Sequence, residues 1–216
     1  RYEQVGAPID GLFIDESTGS WSFDPSHESY QDLRQGETLD ITVSYSVFDE
    51  ENTAHPNSFV ITLTGSNDAP VLTGTPSALP GGSEDTEYTI TKAQLVAGFT
   101  DQDAGETGSL SVSNLVATNP DGDVIGTFVF VAETNTSPEQ WVYTPADHYF
   151  GEVRLSYDVV DDQNAATAAD SSFSLASVND IPLQTGALTV FAAGNEDGPV
   201  TISADQLLEG FTDADG

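Results

Sequence analysis

VRLSYDVV, residues 153–160, carries Val153, Leu155, Tyr157 and Val159 at every second position. Side chains two apart share one face of an extended chain, so the stretch predicts a half-buried antiparallel strand. Moved back by 112 residues, Ile41, Val43, Tyr45 and Val47 form the same pattern, and Ser44, Tyr45 and Asp49 match Ser156, Tyr157 and Asp161. A fixed offset is the mark of tandem units. VIGTFVFVA (124–132), QWVYTP (140–145) and SFSLASV (172–178) read as further strands, with NPDGD (119–123) as a plain hairpin turn. Trp21 and Trp141 both stand in W-x-[FY]-x-P and are expected in the core.

The same offset holds best from Glu84 to Asp103, where 11 of 20 positions recur between Glu196 and Asp215. It also pairs Asn67-Asp68 with Asn179-Asp180, and Pro70 with Pro182. These motifs divide the chain into the latter part of one unit (1–70), a whole unit (71–182) and the opening of a third (183–216), as expected of a segment from a longer array. Thr91 with Gln94, and Ser203 with Gln206, have capping-box spacing, and Gly98 and Gly210 stand where a short helix would end. Each such helix leads straight into D-x-D, Asp101-x-Asp103 or Asp213-x-Asp215.

Composition limits the partners. The 36 acidic residues against four basic ones give a net charge of −32, which repels nucleic acid and anionic membranes. No stretch approaches the roughly 20 apolar residues of a spanning helix, so membrane insertion is not expected. At 38% hydrophobic residues the chain can still build a core. Cysteine is absent, which rules out disulfides and thiolate metal sites. Convergent carboxylates on a hard cation such as Ca2+ are another route to rigidity. His27, His55 and His148 do not recur at the offset, and no G-x-S-x-G, H-E-x-x-H or phosphate-cradling loop is present, so an enzyme is not expected.

About seven short strands in 112 residues predict an all-β chain of tandem immunoglobulin-like, Greek-key β-sandwiches, each with one short helical turn before its D-x-D loop. A barrel fits the pattern as well; the sandwich is favoured because its first and last strands leave from opposite ends, as head-to-tail arrays require.

The chain resembles a known family in E-D-T (84–86), L-x-x-G-F-T-D-x-D (95–103), W-x-Y-T-P (141–145), Y-F-G-x-V-x-L-S-Y-x-V-x-D (149–161) and V-N-D-x-P (178–182). In this order they are similar to the bacterial cadherin-like tandem repeats of large RTX-type adhesins. GLFIDESTGSWSFDP (11–25), L-R-Q-G-E-T-L (33–39) and G-S-N-D-A-P (65–70) resemble the latter part of VCBS repeats. The resemblance implies a secreted, cell-surface protein whose sandwiches bind Ca2+ at their junctions and hold a ligand-binding region away from the cell.

It also implies two ligand sets. The first comprises Glu84, Asp101, Asp103, Asn67, Asp68 and Asp49 or Glu50; the second Glu196, Asp213, Asp215, Asn179, Asp180 and Asp161 or Asp162, with Asp85 and Asp197 as additions. The implied partners are neighbouring repeats of the same chain and, through other domains, a host-surface or biofilm glycan or protein. Because 183–216 resembles an opening and 1–70 a remainder, head-to-tail self-association by strand complementation is a further expectation. The alternative function is a glycan- or peptide-binding module using TNTSPEQ (134–140) or PADHYFG (145–151), against which Tyr149 and Phe150 also read as a structural corner.

Overall fold

The computed structural model describes residues 1–187, 189–191 and 193–215; Leu188, Ala192 and Gly216, within the expected third unit, lie outside the described residues. In chain order the strands are β1 (Tyr2–Gln4), β2 (Leu12–Ile14), β3 (Trp21–Phe23), β4 (Thr38–Phe48), β5 (Ala54–Thr64), β6 (Val71–Leu72), β7 (Gly82–Ser83) and β8 (Tyr88–Thr91). Helix α1 (Lys92–Leu95) precedes β9 (Phe99–Thr100), β10 (Ser111–Thr118), β11 (Thr127–Val131), β12 (Gln140–Thr144), β13 (Gly151–Val160), β14 (Ala166–Ala176) and β15 (Leu183–Gln184). Helix α2 (Ala204–Leu208) and β16 (Phe211–Thr212) close the order. The chain is nearly all-β, with two compact units that each draw on separate stretches of sequence.

One unit comprises Arg1–Ser77, Ala93–Asn114 and Tyr157–Ala169. Its long hairpin β4–β5 is in register from Thr38 opposite Thr64 to Phe48 opposite Ala54, and β1 pairs with the free edge of β4. Val43 at the centre of the alternating run is fully buried, as are Leu95, Leu110 and Val159 to within 2% exposure. The Tyr157 hydroxyl donates to the Leu95 carbonyl at 3.0 Å, which ties down the end of α1. Trp21 does not enter the core: it is 53% exposed, resting on Phe59 with ring centres 5.0 Å apart. Its strand β3 pairs only with β2, and a two-stranded ribbon has no second layer to cover the ring.

In the same unit β6 and β9 form a short antiparallel pair after Gly98, whose φ is +84°. A side chain there would come within 3.0 Å of the Gly74 and Thr75 backbone, so glycine is required both by conformation and by space.

The other unit comprises Ala78–Lys92, Leu115–Ser156 and Asp170–Gly216. Here β11, β12 and β8 form one antiparallel sheet, with Phe130 opposite Trp141 and Trp141 opposite Ile90. Trp141, Tyr143, Val153, Leu155, Phe173 and Leu175 are buried. Phe173 stacks on Tyr88 at 4.3 Å and meets the edge of Tyr143 at 5.8 Å, while the Tyr143 hydroxyl donates to the Ile125 carbonyl at 2.9 Å. The buried phenol is thus satisfied, as a buried polar group must be. Strand β7 pairs parallel with the end of β14, Gly82 opposite Leu175 and Ser83 opposite Ala176. The Asn119–Asp123 turn is a plain turn, with Gly122 at φ +93°. Ser203 and Gln206 form the reciprocal capping box of α2. At 145–151 the backbone makes a corner: the Tyr149 amide donates to Ala146 and its hydroxyl to the Glu152 carbonyl.

Burial sets the energetic contrast. Leu155 is 1% exposed and Val129, on β11, is 59% exposed. Leu155→Ala is expected to lower unfolding free energy by about 2–5 kcal/mol. Val129→Ala should stay within about 0.5 kcal/mol of the parent. Urea denaturation of the two variants checks the pair, and similar losses would contradict the assigned facing of the strands.

Candidate metal centre

The first acidic cluster starts where β9 delivers the chain into Asp101. The Asp103 amide donates to Asp101 Oδ1 at 2.9 Å, and the Asp101 amide donates to Thr107 Oγ1 at 2.7 Å. Gly105, at φ +81°, then turns the chain into a single 3-10 turn, Glu106–Gly108. Two elements bring partners to this loop. The linker amide of Asp68 donates to Asp103 Oδ2 at 2.9 Å, and Asn67 Nδ2 donates to Asp161 Oδ2 at 2.8 Å. Asp161 is held in turn by the amides of Gln163 and Ala165, both 2.8 Å from its Oδ1. Asp103, Glu106 and Asp161 are buried at 1%, 0% and 4% exposure.

This arrangement leaves acceptors without donors. Among the described residues, both oxygens of Glu106, Oδ1 of Asp103, Oδ2 of Asp101 and Oδ1 of Asn67 are buried and unpartnered. Carboxylate oxygens of Asp101, Asp103 and Glu106 lie within 4.8 Å of one another. Burial, then a carboxyl–carboxylate hydrogen bond with Asp162 that favours the protonated form, and then the charges of Asp162, Asp103 and Asp101 push the Glu106 carboxyl up to about 7. Burial, followed by the charges of Asp103, Asp161 and Asp68, also raises Asp101, although the Asp103 amide opposes it. A divalent cation would reverse the sign of these repulsions, and hard oxygen donors suit calcium.

The second cluster is built at the end of β14. Because β7 runs parallel to that end, Glu84 emerges beside it; its amide donates to the Ala176 carbonyl at 3.0 Å. The Val178 amide donates to Glu84 Oε1 at 2.8 Å, while the buried Oε2 has no partner. Asp215 accepts from the Asp180 amide at 2.7 Å and from Ser177 Oγ at 2.9 Å, and its own amide donates to Asp213 Oδ1 at 3.0 Å. Carboxylate oxygens of Glu84, Asp180 and Asp215 come within 4.8 Å of one another. Asp85, His148 and Asp180 form an overlapping, more exposed group. His148 Nδ1 lies 2.7 Å from Asp180 Oδ2, and this hydrogen bond, followed by the Asp180 charge, raises the imidazole pKa.

The sequence grouping is therefore corrected at both ends. Glu84 stands with Asp180 and Asp215 rather than with Asp101 and Asp103, because its strand pairs parallel with the last strand of its sheet. Asp161 stands with Asn67, and Asp162 beside Glu106, rather than in the second set. Asp49 and Glu50 lie in the exposed turn at the far end of the β4–β5 hairpin, eleven residue pairs from Thr64. At about 3.3 Å per residue that is roughly 35 Å from the linker, too far to meet Asn67. Glu196 and Asp197 occupy an exposed turn in which the Gly198 amide donates to the Asn195 carbonyl. Asn179, with Nδ2 on the Asp180 carbonyl, repeats Asn67 on Asp68.

Glu106, His148 and Arg34 carry weight that sequence reasoning missed. A counterpart of Glu106 at the 112-residue offset would be residue 218, outside the 216 residues, so the repeat offers no signal for it. Arg34 Nε donates to the Ala104 carbonyl at 2.6 Å and lies 3.9 Å from Glu106 Oε1.

Residues 66–176 match the family model described as cadherin-like domain. No curated protein matches the chain. Solved structures similar to it include protocadherin gammaB7 EC3-6 as a cis-dimer, at 16% identity over 84% of this chain and 41% of that one, with TM-score 0.46. Mouse cadherin-23 EC22-24 is 16% identical over 82% of this chain and 52% of its own, with TM-score 0.40. A glycoside hydrolase family 107 endo-fucoidan hydrolase is 17% identical over 82% and 24%, with TM-score 0.32. The chain thus spans from about a quarter to about half the length of these structures.

The raised pKa values fix the sign of an ion-free pH dependence. Glu106 binds its proton more tightly folded than unfolded, so its ionisation destabilises the fold increasingly as pH rises from about 4.5 to about 7. His148 contributes stability below its ordinary value of 6.5 and loses it as pH climbs through its raised value. In excess chelator the protein should melt lower at pH 8 than at pH 6, with Glu106→Gln flattening the difference. Thermal melts at the two pH values check this, and a higher melting temperature at pH 8 would refute it.

Proposed function

The chain belongs to the cadherin-like domain family, a family of extracellular, non-enzymatic adhesion modules, and we propose that it is a calcium-stiffened extender segment of a secreted bacterial surface adhesin. The observation that carries the calcium reading is Glu106: fully buried, without a hydrogen-bond donor on either oxygen, and beside Asp101, Asp103 and Asp162. A carboxylate in that position is costly unless a cation accompanies it. Asn67 Oδ1 and Glu84 Oε2 are buried acceptors of the same kind. In the first cluster Asp101, Asp103, Glu106, Asp161, Asp162 and Asn67 would hold the ion. In the second, Glu84, Asp180 and Asp215 would do so.

The bacterial RTX-adhesin assignment, with its VCBS-like first part, draws support from the ordered motifs at 11–25, 33–39, 65–70 and 84–182. On this reading the repeats run 1–70, 71–182 and 183–216, the chain lies at the bacterial cell surface, and its partners are neighbouring repeats. Adhesion to a host or biofilm glycan or protein belongs to other domains of the parent protein. The glycan-binding alternative has less support, because Tyr149 is spent on a backbone corner.

Extracellular modules of this kind bind calcium with dissociation constants of about 10⁻⁴ to 10⁻³ M. A hundred-fold excess of ion over such a constant stabilises the folded chain by about 2.7 kcal/mol per site. Thermal melting and small-angle scattering in millimolar calcium, in chelator, and in magnesium form the test. Calcium is expected to raise the melting temperature and narrow the distribution of particle lengths, with Asp103→Asn removing much of the gain. An unchanged melt and scattering profile would sink the proposal.

A further inference from the structure

The chain has only four basic side chains of lysine or arginine. Three of them pair with partly exposed acids: Arg1 with Glu3, Lys92 with Glu139 and Arg154 with Glu152. Arg34 differs, since among the described residues it is the one lysine or arginine standing at a carboxylate with 0% exposure, Glu106. Its position is fixed from several directions. Nε donates to the Ala104 carbonyl at 2.6 Å, and the Ala104 amide donates back to the Asp32 carbonyl at 3.0 Å. Gly105 lets the guanidinium approach, since a Cβ there would lie 3.0 Å from Arg34 Nη2. Behind it, the Gly36 amide donates to the Gly65 carbonyl and the Gly65 amide to the Glu37 carbonyl. Gly65 packs so closely that a Cβ would overlap the Leu33 and Arg34 carbonyl oxygens.

Arg34 thus joins the root of the linker to the loop that carries the buried acids. Yet its Nε is 3.9 Å from Glu106 Oε1, too long for a hydrogen bond, so it offers charge without satisfying the carboxylate. We propose that Arg34 is a resident counter-cation of the first acidic cluster. It holds the Asp101–Glu106 loop against Asp32–Glu37 when no divalent ion is bound, and it opposes the binding of that ion through its own charge. The proposal rests on the calcium reading of the same cluster. Arg34 is a positioning residue, whereas the cluster's oxygens are the ligands.

The two roles have opposite signs and can be separated. A unit positive charge roughly 6 Å from a divalent ion weakens its binding about ten-fold even in the dielectric of water. Calorimetric titration of the full chain with calcium, compared with Arg34→Gln and Arg34→Lys, reads the affinity, and melts in chelator read the ion-free state. Arg34→Gln is expected to melt lower in chelator yet bind calcium about ten-fold more tightly, a gain that Glu106→Gln in the same background abolishes. Arg34→Lys keeps the charge, so its affinity should stay near the parent's while its chelator melt falls. Equal or weaker binding by Arg34→Gln overturns the proposal, since loss of a merely structural contact cannot tighten a site. Calcium uptake by the cluster only in Arg34→Gln supports it. If parent and variant both take up no calcium, this proposal and the calcium reading fall together; binding in both with equal affinity removes only the role of Arg34.

Discussion

Buried carboxylate oxygens without donors are the constraint around which the loops of this protein are arranged. Glu106 is the extreme case, with zero exposure and no donor on either oxygen. Desolvation alone disfavours its charged form, and the neighbouring acids disfavour it further. The strands do not need this arrangement. In the unit containing Trp141, Tyr88 stacked on Phe173 and Tyr143 set edge-on against it pack with no charged group among them, while the buried Glu84 stands at a strand end. The repulsion is confined to strand ends and linkers, where a cation would act on loop conformation rather than on the sheets.

Those loops use their own backbone to gather like charges. In both D-x-D segments the second aspartate's amide bonds the first aspartate's side chain, at 2.9 Å in one and 3.0 Å in the other. Each short helix is stopped by a glycine at positive φ, Gly98 or Gly210, so the chain leaves it at a set angle toward the acids. Glycine's tolerance of that conformation thus decides where the carboxylates point.

The alternating strands, the short helices and the D-x-D loops were legible in the sequence, because period two, capping spacing and positive-φ glycines are local signals. Trp21 departs from the core expectation because it shares the W-x-[FY]-x-P context of Trp141, whereas burial depends on a covering layer that no local motif encodes. Most of the acidic residues that form the two clusters stand out in the sequence, but the strands group them differently from the repeat offset. Which end of a sandwich a loop occupies follows from strand parity: a turn before the last strand lies one strand length from the linker after it. Asp49, Glu50, Asp161 and Asp162 were misplaced for this reason, and Glu84 because a parallel β7–β14 pairing reverses the end it reaches.

The linker bonds recur at the repeat offset even where the cluster composition does not. The Asp68 amide binds Asp103 Oδ2 and the Asp180 amide binds Asp215 Oδ2, while Thr73 meets Thr100 as Thr185 meets Thr212. Gly74 and Gly186 both donate to the carbonyl of the helix-ending glycine. The scaffold that aims a linker at its D-x-D loop is therefore a property of the repeat. What differs is the basic side chain at each cluster: a guanidinium at Glu106, always charged, and an imidazole at Asp180, charged only when protonated. Two clusters built on one backbone plan thus carry different electrostatics, set by single residues outside the repeated motif.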